Sequence, residues 1–178
     1  RFGAQLNKIN MAEYQHQSAP NEPIQFKHRG VYLIAGALGE LGQQLCEQLL
    51  TQYTATLILL GRTSAAHNKS AIEKLSALPG KVHYLSCDVS NEGDVAQVKE
   101  YIDTLELQQQ QSLNGILHLG TAFSEFENSW QDFEQALSVK VQGSMVLDHV
   151  FRNTPLDFFV MFSSMAVFGS LNHLSYSY

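Results

Sequence analysis

Residues 29–50, RGVYLIAGALGELGQQLCEQLL, carry the clearest structural signal in the chain. An apolar run at 31–35 is followed by three glycines spaced three apart, and leucines then recur at helical spacing over 40–52. This order is typical of a buried strand, a tight turn and an amphipathic helix. We predict that Gly36 makes a sharp turn, that Gly39 leaves room beside the backbone, and that Gly42 lets the helix pack close to the strand.

The same alternation of strand and helix continues along the chain. Further apolar strand segments are predicted at 55–61, 82–88, 115–120 and 156–164. Helical spacing appears at 67–77, in a segment that begins after a predicted cap at Ser90 or Asn91, and at 129–151, which is predicted as one helix or two. A polar loop is predicted at 108–111. Continuous apolar strands that are each followed by a helix predict an α/β fold, a doubly wound parallel sheet buried on both faces.

Composition limits the functional classes. The chain has 178 residues, of which 44% are hydrophobic, and this is enough for one core. A net charge of −6 without a basic block disfavours nucleic-acid and anionic-membrane partners, and no apolar run approaches the roughly 18 residues that span a bilayer. Cys46 and Cys87 fall in helix and strand patterns, so we expect buried thiols in a reducing, cytoplasmic compartment and no metal site.

The first strand–helix turn lies where an anionic ligand can bind. Ligands of doubly wound sheets bind beyond the carboxyl ends of the strands, and a helix N-terminus favours phosphate. Glycines at this place therefore predict a dinucleotide site. After the second strand, Arg62 stands in LLGRTS where a site for NAD would carry an acid. An arginine can neutralise a 2′-phosphate, which predicts NADPH; the alternative is a solvated surface arginine.

Six stretches, taken in chain order, resemble motifs of the ketoreductase domain of modular type I polyketide synthases, in the short-chain dehydrogenase/reductase superfamily. They are GVYLIAGALGELG (30–42), LLGRT (59–63), CDVS (87–90), GILHLGTA (115–122), SVKVQGSMVLDHVF (138–151) and DFFVMFSSMAVFGSLNHLSYSY (157–178). The resemblance implies a Rossmann-like NADP-binding subdomain over 29–178. It also implies that residues 1–28 are the end of a structural subdomain or a linker.

The resemblance implies a catalytic set for ketone reduction. Lys140, Ser164 and Tyr176 match the lysine, serine and tyrosine of the family, with Tyr178 as the alternative to Tyr176. The tyrosine would donate a proton to the developing alkoxide, the serine would hold the carbonyl oxygen, and the lysine would lower the pKa of the tyrosine and hold the nicotinamide ribose. The asparagine of the family would fall beyond position 178, so the chain is expected to be C-terminally incomplete and inactive alone.

The same resemblance implies the residues around the ligands. Two positions would line the substrate, Phe168 and His173. The implied cofactor-binding residues are Gly36, Leu38, Gly39, Leu41, Gly42, Gly61, Arg62, Thr63, Asp88, Val89, His118, Gly120, Lys140 and Tyr176.

Some departures from the family pattern lie near the implied cofactor, among them Ala35 and Ala37 in place of a threonine and a glycine, and another concerns the stereochemistry of the product. Glu40 replaces a glycine and is expected to point to solvent, and Thr121 stands where a glycine approaches the adenosine ribose. The stretch FSE (123–125) lacks the LDD motif of the D-hydroxyl class, and with His173 this favours the L-hydroxyl class.

The sequence therefore predicts NADPH-dependent reduction of the β-keto group of a polyketide intermediate. The substrate would be bound to an acyl carrier protein, with neighbouring synthase domains as further partners. Two alternatives remain open: a catalytically silent scaffold domain of a synthase, and a free-standing short-chain carbonyl reductase.

Overall fold

The computed structural model describes residues 25–121 and 130–163. Within these ranges strands and helices alternate as predicted. The elements are β1 (Val31–Ala35), α1 (Glu40–Tyr53), β2 (Thr56–Gly61), α2 (Lys69–Ser76), β3 (Lys81–Ser86), α3 (Glu92–Gln109), β4 (Leu113–His118), α4 (Trp130–Leu137), a π-helical segment (Ser138–Gln142), α5 (Gly143–Phe151) and β5 (Phe158–Met161).

The strands form one parallel sheet in the order β3-β2-β1-β4-β5. The register pairs Ala35 with Leu60 on one side and with His118 on the other, and it pairs His118 with Met161. The carboxyl ends of these strands therefore meet at one edge of the sheet. The predicted doubly wound sheet is confirmed.

Helices cover both faces of the sheet, which explains why β1 is buried along its whole length. Val31 and Leu33 belong to a core cluster that includes residues of α3 and α5. Tyr32 and Ile34, which point to the other face, belong to a cluster that includes residues of α1 and α2. Burying apolar side chains on both faces is the main stabilising term for this three-layer arrangement.

The boundaries of some elements differ from the prediction. Three of the five predicted strands, those at 82–88, 115–120 and 156–164, extended too far at their carboxyl ends, where the chain turns into loops that border a cleft. The predicted loop at 108–111 is wrong in its first half, because α3 continues to Gln109 and ends at Gln110 with a left-handed φ of 52°. Glutamine is a good helix former, so polarity alone did not end the helix. Of the two predicted caps, Asn91 is correct: its Oδ1 accepts from the backbone N–H groups of Gly93 and Asp94.

Residues just before β1 contact the sheet. Phe26 packs edge-on against Tyr32 and Phe158, and the ammonium of Lys27 forms an ion pair with Asp157 at 2.6 Å. The end of the segment predicted as linker thus packs against the Rossmann unit. The assignment of residues 1–28 to a separate subdomain stays a prediction.

Both cysteines are buried free thiols, as predicted. Burial raises the pKa of Cys46 and of Cys87 to about 12. The reactive thiolate is therefore a minor form at neutral pH.

Candidate active site

A cleft of about 390 Å³ opens along the carboxyl edge of the sheet. Backbone hydrogen bonds continue one residue past the strands, from Gly36 N to Leu60 O, from Leu119 N to Ala35 O and from Cys87 N to Gly61 O. These bonds hold the loops that border the cleft. Ten of the predicted site residues line it: Gly36, Gly39, Leu41, Gly42, Gly61, Arg62, Asp88, Val89, Gly120 and Lys140.

The three glycines of the first turn differ in what requires them. Gly36 has a φ of +81°, and a Cβ placed there would lie 2.6 Å from the nitrogen of Gly120. A Cβ at Gly42 would lie 2.5 Å from the carbonyl oxygen of Ala37. At Gly39 the nearest atom to a Cβ is the oxygen of Gly36, at 3.6 Å, which is an ordinary contact. The fold therefore requires Gly36 and Gly42, whereas Gly39 has space beside it in the cleft.

The first turn of α1 faces this space. Gly39 is the N-cap and no side chain caps the helix, so the first N–H groups have no side-chain partner. Glu40, Leu41 and Gly42 line the cleft. Glu40 is exposed to solvent, as predicted, but it also borders the cleft. A helix end of this kind favours an anion.

Side chains of β3 form hydrogen bonds to the backbone of the loop after β2. The hydroxyl of Ser86 donates to the carbonyl of Arg62 at 3.1 Å, and the hydroxyl of Tyr84 donates to the carbonyl of Thr63 at 2.7 Å. The side-chain amide of Asn68 donates to Thr63 Oγ1. Arg62 is exposed and lines the cleft, whereas Thr63 does not line it.

Asp88 lies at the same edge, after β3. Its carboxylate accepts from the backbone N–H and the hydroxyl of Ser90, at 2.9 and 2.6 Å. These bonds, with a smaller contribution from Arg62, hold the pKa of Asp88 below its ordinary value. The backbone N–H of Asp88 donates to Asp94 Oδ2 at 2.9 Å, which fixes this loop against the start of α3.

Lys140 reaches the cleft from the π-helical segment. Its side chain is half-buried, and its ammonium donates to the carbonyl of Phe162 at 2.9 Å. Burial lowers the pKa of Lys140. Phe162 and Ser163 line the same cleft directly before Ser164. Four other predicted residues lie outside the described part of the chain: Ser164, Phe168, His173 and Tyr176.

His118 ends β4 and is 1% exposed. Its Nε2 lies 3.0 Å from the carbonyl oxygen of Val139, and since a carbonyl can only accept, Nε2 carries the proton. Nδ1 is buried and has no hydrogen-bond partner among the described residues. Although His118 was predicted as a cofactor contact, neither His118 nor Leu38 lines the cleft.

Acidification is expected to destabilise the fold through His118. Burial lowers the pKa of this imidazole in the folded state, so the unfolded chain takes up a proton below about pH 6.5 that the folded chain does not. As the pH decreases below about 6.5, the free energy of unfolding should therefore decrease, by at most about 1.4 kcal/mol per pH unit for this group, until the pH reaches the lowered pKa of the folded state. Burial lowers the pKa of His83 as well, in the same direction.

Urea unfolding at a series of pH values between about 7.5 and 5 checks this expectation. The H118Q variant, which cannot titrate there, should give a flatter curve. Equal pH dependence in parent and variant would contradict the prediction.

The described ranges contain neither a cluster of three His, Cys, Asp or Glu residues suited to a metal nor a helix long and apolar enough to cross a bilayer.

Comparison with known proteins identifies the family. A sequence model described as the KR domain matches residues 30–178. The chain belongs to the ketoreductase (KR) domain family. It is 34% identical to polyketide synthase PksN of Bacillus subtilis over 157 residues, and 33% identical to the squalestatin tetraketide synthase clz2 of Cochliobolus lunatus over 155 residues. These alignments cover 85% and 82% of this chain, but only 3% and 6% of those proteins.

Solved ketoreductase structures share the fold of this KR domain. An N-terminal ketoreductase from the macrolactin assembly line aligns with a TM-score of 0.70 and 32% identity, over 81% of this chain and 30% of that one. A ketoreductase domain from the bacillaene assembly line aligns with a TM-score of 0.73 and 28% identity, over 88% of this chain and 38% of that one. The chain thus spans about a third of each solved chain.

Sequence reasoning missed several residues that line the cleft of the KR domain. Most of them end a strand or follow one directly, and they could have been found from the rule that ligands bind at the carboxyl ends of parallel strands. They are Ala35, Leu60, Cys87, Leu119, Phe162 and Ser163. Val139 also lines the cleft, from the π-helical segment, where it directly precedes the predicted site residue Lys140.

Proposed function

We propose that this KR domain belongs to an NADPH-dependent enzyme that reduces the β-keto group of an acyl chain to a β-hydroxyl, of the L class. The acyl chain would be carried on an acyl carrier protein, with neighbouring synthase domains in the same polypeptide. One observation carries the proposal: a single cleft brings together the open turn at Gly39, the guanidinium of Arg62 and the half-buried ammonium of Lys140.

The residues present fit a dinucleotide. The space beside Gly39 and the uncapped first turn of α1 suit a diphosphate, because N–H groups there can donate to it without a Cβ in the way. Asp88 and Val89, farther along the edge, suit the adenine end. Lys140 suits the nicotinamide ribose, because it bonds to Phe162 after β5, and β5 lies on the opposite side of β1 from β2, which Arg62 follows.

Arg62 favours the phosphorylated form of the cofactor. It follows β2 directly, where an acid would bind the ribose 2′-hydroxyl of NAD. The guanidinium is exposed, and the bonds from Ser86 and Tyr84 hold the backbone of its loop. A planar guanidinium on a fixed loop can form two parallel hydrogen bonds to a 2′-phosphate.

The chain's own residues would supply the proton and hold the carbonyl. When bound, the nicotinamide supplies the hydride. Tyr176 would give its proton to the oxygen of the former ketone, and Ser164 would hold that oxygen by a hydrogen bond. The ammonium of Lys140 would favour the phenolate and lower the pKa of Tyr176 from its ordinary value near 10.

A cofactor titration with turnover tests the proposal. The full-length protein is titrated with NADPH and with NADH, and NADPH oxidation is followed with a β-ketoacyl thioester or a decalone as surrogate substrate. We expect NADPH to bind at least about tenfold more tightly than NADH, because a phosphate–guanidinium contact is charge-assisted. Chiral chromatography of the product then reads the hydroxyl class.

The other two functions give different results. A silent scaffold domain would bind neither cofactor productively and would give no turnover. A free-standing carbonyl reductase would turn over the decalone but gain nothing when the thioester is moved onto an acyl carrier protein.

Replacing Arg62 with alanine should weaken NADPH binding by about 10–100-fold and leave NADH binding unchanged, since charge-assisted bonds contribute about 1.5–3 kcal/mol. Isothermal titration with both cofactors measures the two affinities. The matched control is K74A, which removes a surface cation whose ammonium pairs with Glu47 on α1. If K74A weakens NADPH as much as R62A does, Arg62 has no specific contact with the 2′-phosphate.

A further inference from the structure

Three hydrogen bonds connect the end of β4 to the lysine of the cleft. His118 Nε2 donates to the carbonyl of Val139 at 3.0 Å. The backbone N–H of Phe162 donates to the carbonyl of His118 at 3.0 Å, and the ammonium of Lys140 donates to the carbonyl of Phe162 at 2.9 Å. Because the Val139 carbonyl belongs to the peptide bond of the Lys140 nitrogen, these bonds close a ring that holds the lysine at its backbone and at its ammonium.

The imidazole of His118 is confined within this ring. A Cβ at Gly120 would lie 2.9 Å from Cε1 of His118, and a Cβ at Gly143 would lie 3.4 Å from Nε2. The side chain is 1% exposed, and the imidazole packs between the loop after β4 and the start of α5. Close packing on both sides leaves the imidazole little freedom to turn away from Val139.

The segment that receives this bond has unusual geometry. Residues Ser138–Gln142 form a π-helical turn between α4 and α5. Such turns are rare and occur frequently at functional sites. A side chain of the sheet that bonds to a carbonyl inside the turn fixes how far Lys140 projects toward the cleft.

We propose that His118 is a positioning residue that holds Lys140 in the cleft through Val139 and Phe162, and that it makes no contact with the cofactor. The inference rests on the proposed function for the role of Lys140. It replaces the sequence-based expectation that His118 binds the cofactor directly.

A double-mutant cycle in the full-length protein tests this inference. H118M removes the donor at similar volume, and H118Q keeps an amide donor at about the reach of Nε2. We expect H118M to lower kcat for reduction of a β-ketoacyl thioester by about 10–100-fold, because small displacements of a reacting group are costly. H118Q should stay within about threefold of the parent, and adding H118M to a K140M background should cost less than about threefold.

Control variants separate positioning from stability. His83 is a partly buried histidine whose Nδ1 pairs with the hydroxyl of Tyr101 at 2.8 Å, away from the cleft. We expect H83M to leave kcat unchanged, and thermal unfolding is recorded for every variant. Should H118M fail to fold, H118N replaces it in the double-mutant cycle, because the asparagine side chain is too short for its amide to reach the Val139 carbonyl.

Three results would overturn the inference: an additive loss in the K140M background, an equal loss in H118Q and H118M, or a crystal structure of H118M in which the ammonium of Lys140 still lies 2.9 Å from the Phe162 carbonyl. The crystal structure does not depend on turnover. A parent protein that neither binds NADPH nor reduces the thioester would contradict the proposed function, and the crystallographic result would still decide the position of Lys140.

Discussion

Replacing Lys140 with methionine should lower kcat by about 10²–10³-fold, because the ammonium would favour the phenolate of Tyr176 and hold the ribose. Stability should change little. Burial lowers the pKa of Lys140, so folding disfavours its charge, and methionine keeps the apolar stem without it. Kinetics with NADPH and a β-ketoacyl thioester, together with thermal unfolding, measure both effects.

The pH profile gives this prediction a second readout. Reduction requires the protonated tyrosine, so the rate falls as pH rises through the pKa of Tyr176. Removing the nearby cation should raise that pKa, and the alkaline fall of kcat should move to higher pH. The Y176F variant should lose at least as much turnover as K140M, and the alkaline limb should disappear from its residual activity.

The matched control for K140M is K99M. Lys99 is also a partly buried lysine, but on α3, where it pairs with Asp103 four residues away. The K99M variant should have the same kcat as the parent. Parent-like kcat in K140M would remove Lys140 from the catalytic set.

Replacing Gly42 with alanine should destabilise the fold by about 1–3 kcal/mol, whereas Gly39→Ala should not. The new Cβ at position 42 would meet backbone atoms of Gly36 and Ala37 at 2.5–2.7 Å, and backbone cannot move aside as a side-chain end can. At position 39 the nearest atom lies at 3.6 Å, and the backbone is extended with a φ of −68°, which alanine adopts without strain.

Ligand binding should show the opposite order. Since Gly39 lines the cleft, a methyl group there occupies space that a diphosphate would use, and NADPH affinity should fall about tenfold or more. Thermal unfolding without cofactor, at about 2–4 °C for each kcal/mol, and NADPH titration of the folded variants measure the two effects. If both variants unfold at the same temperature, the distinction between a structural and a ligand-facing glycine is wrong.

The fold was predictable because its signals are local. The apolar run of β1 is buried on both faces, which explains why it lacks alternation, and the glycines follow it at the spacing that a strand–turn–helix unit requires. Arg62 and Lys140 were identified from short motifs, and both line the cleft. Ser164 and Tyr176 stay predictions, because they lie outside the described residues.

Other features could not be read from local patterns. The region 129–151 was interpreted as one helix or two, and its described part contains a π-helical turn between two α-helices. Periodicity does not distinguish an inserted π turn from an α-helix of similar composition. The family resemblance implied that His118 contacts the cofactor, yet its side chain is buried and its Nε2 bonds to the carbonyl of Val139.

The sequence by itself determined the order of strands and helices, the parallel sheet and the position of the glycine turn, because hydrophobic period and turn chemistry act over a few residues. Only the tertiary structure decided which glycine faces open space and which histidine nitrogen meets the carbonyl of Val139, 21 residues away in the chain. Such contacts depend on how segments that are distant in the chain pack at one edge of the sheet, and a local sequence pattern carries no information about that packing.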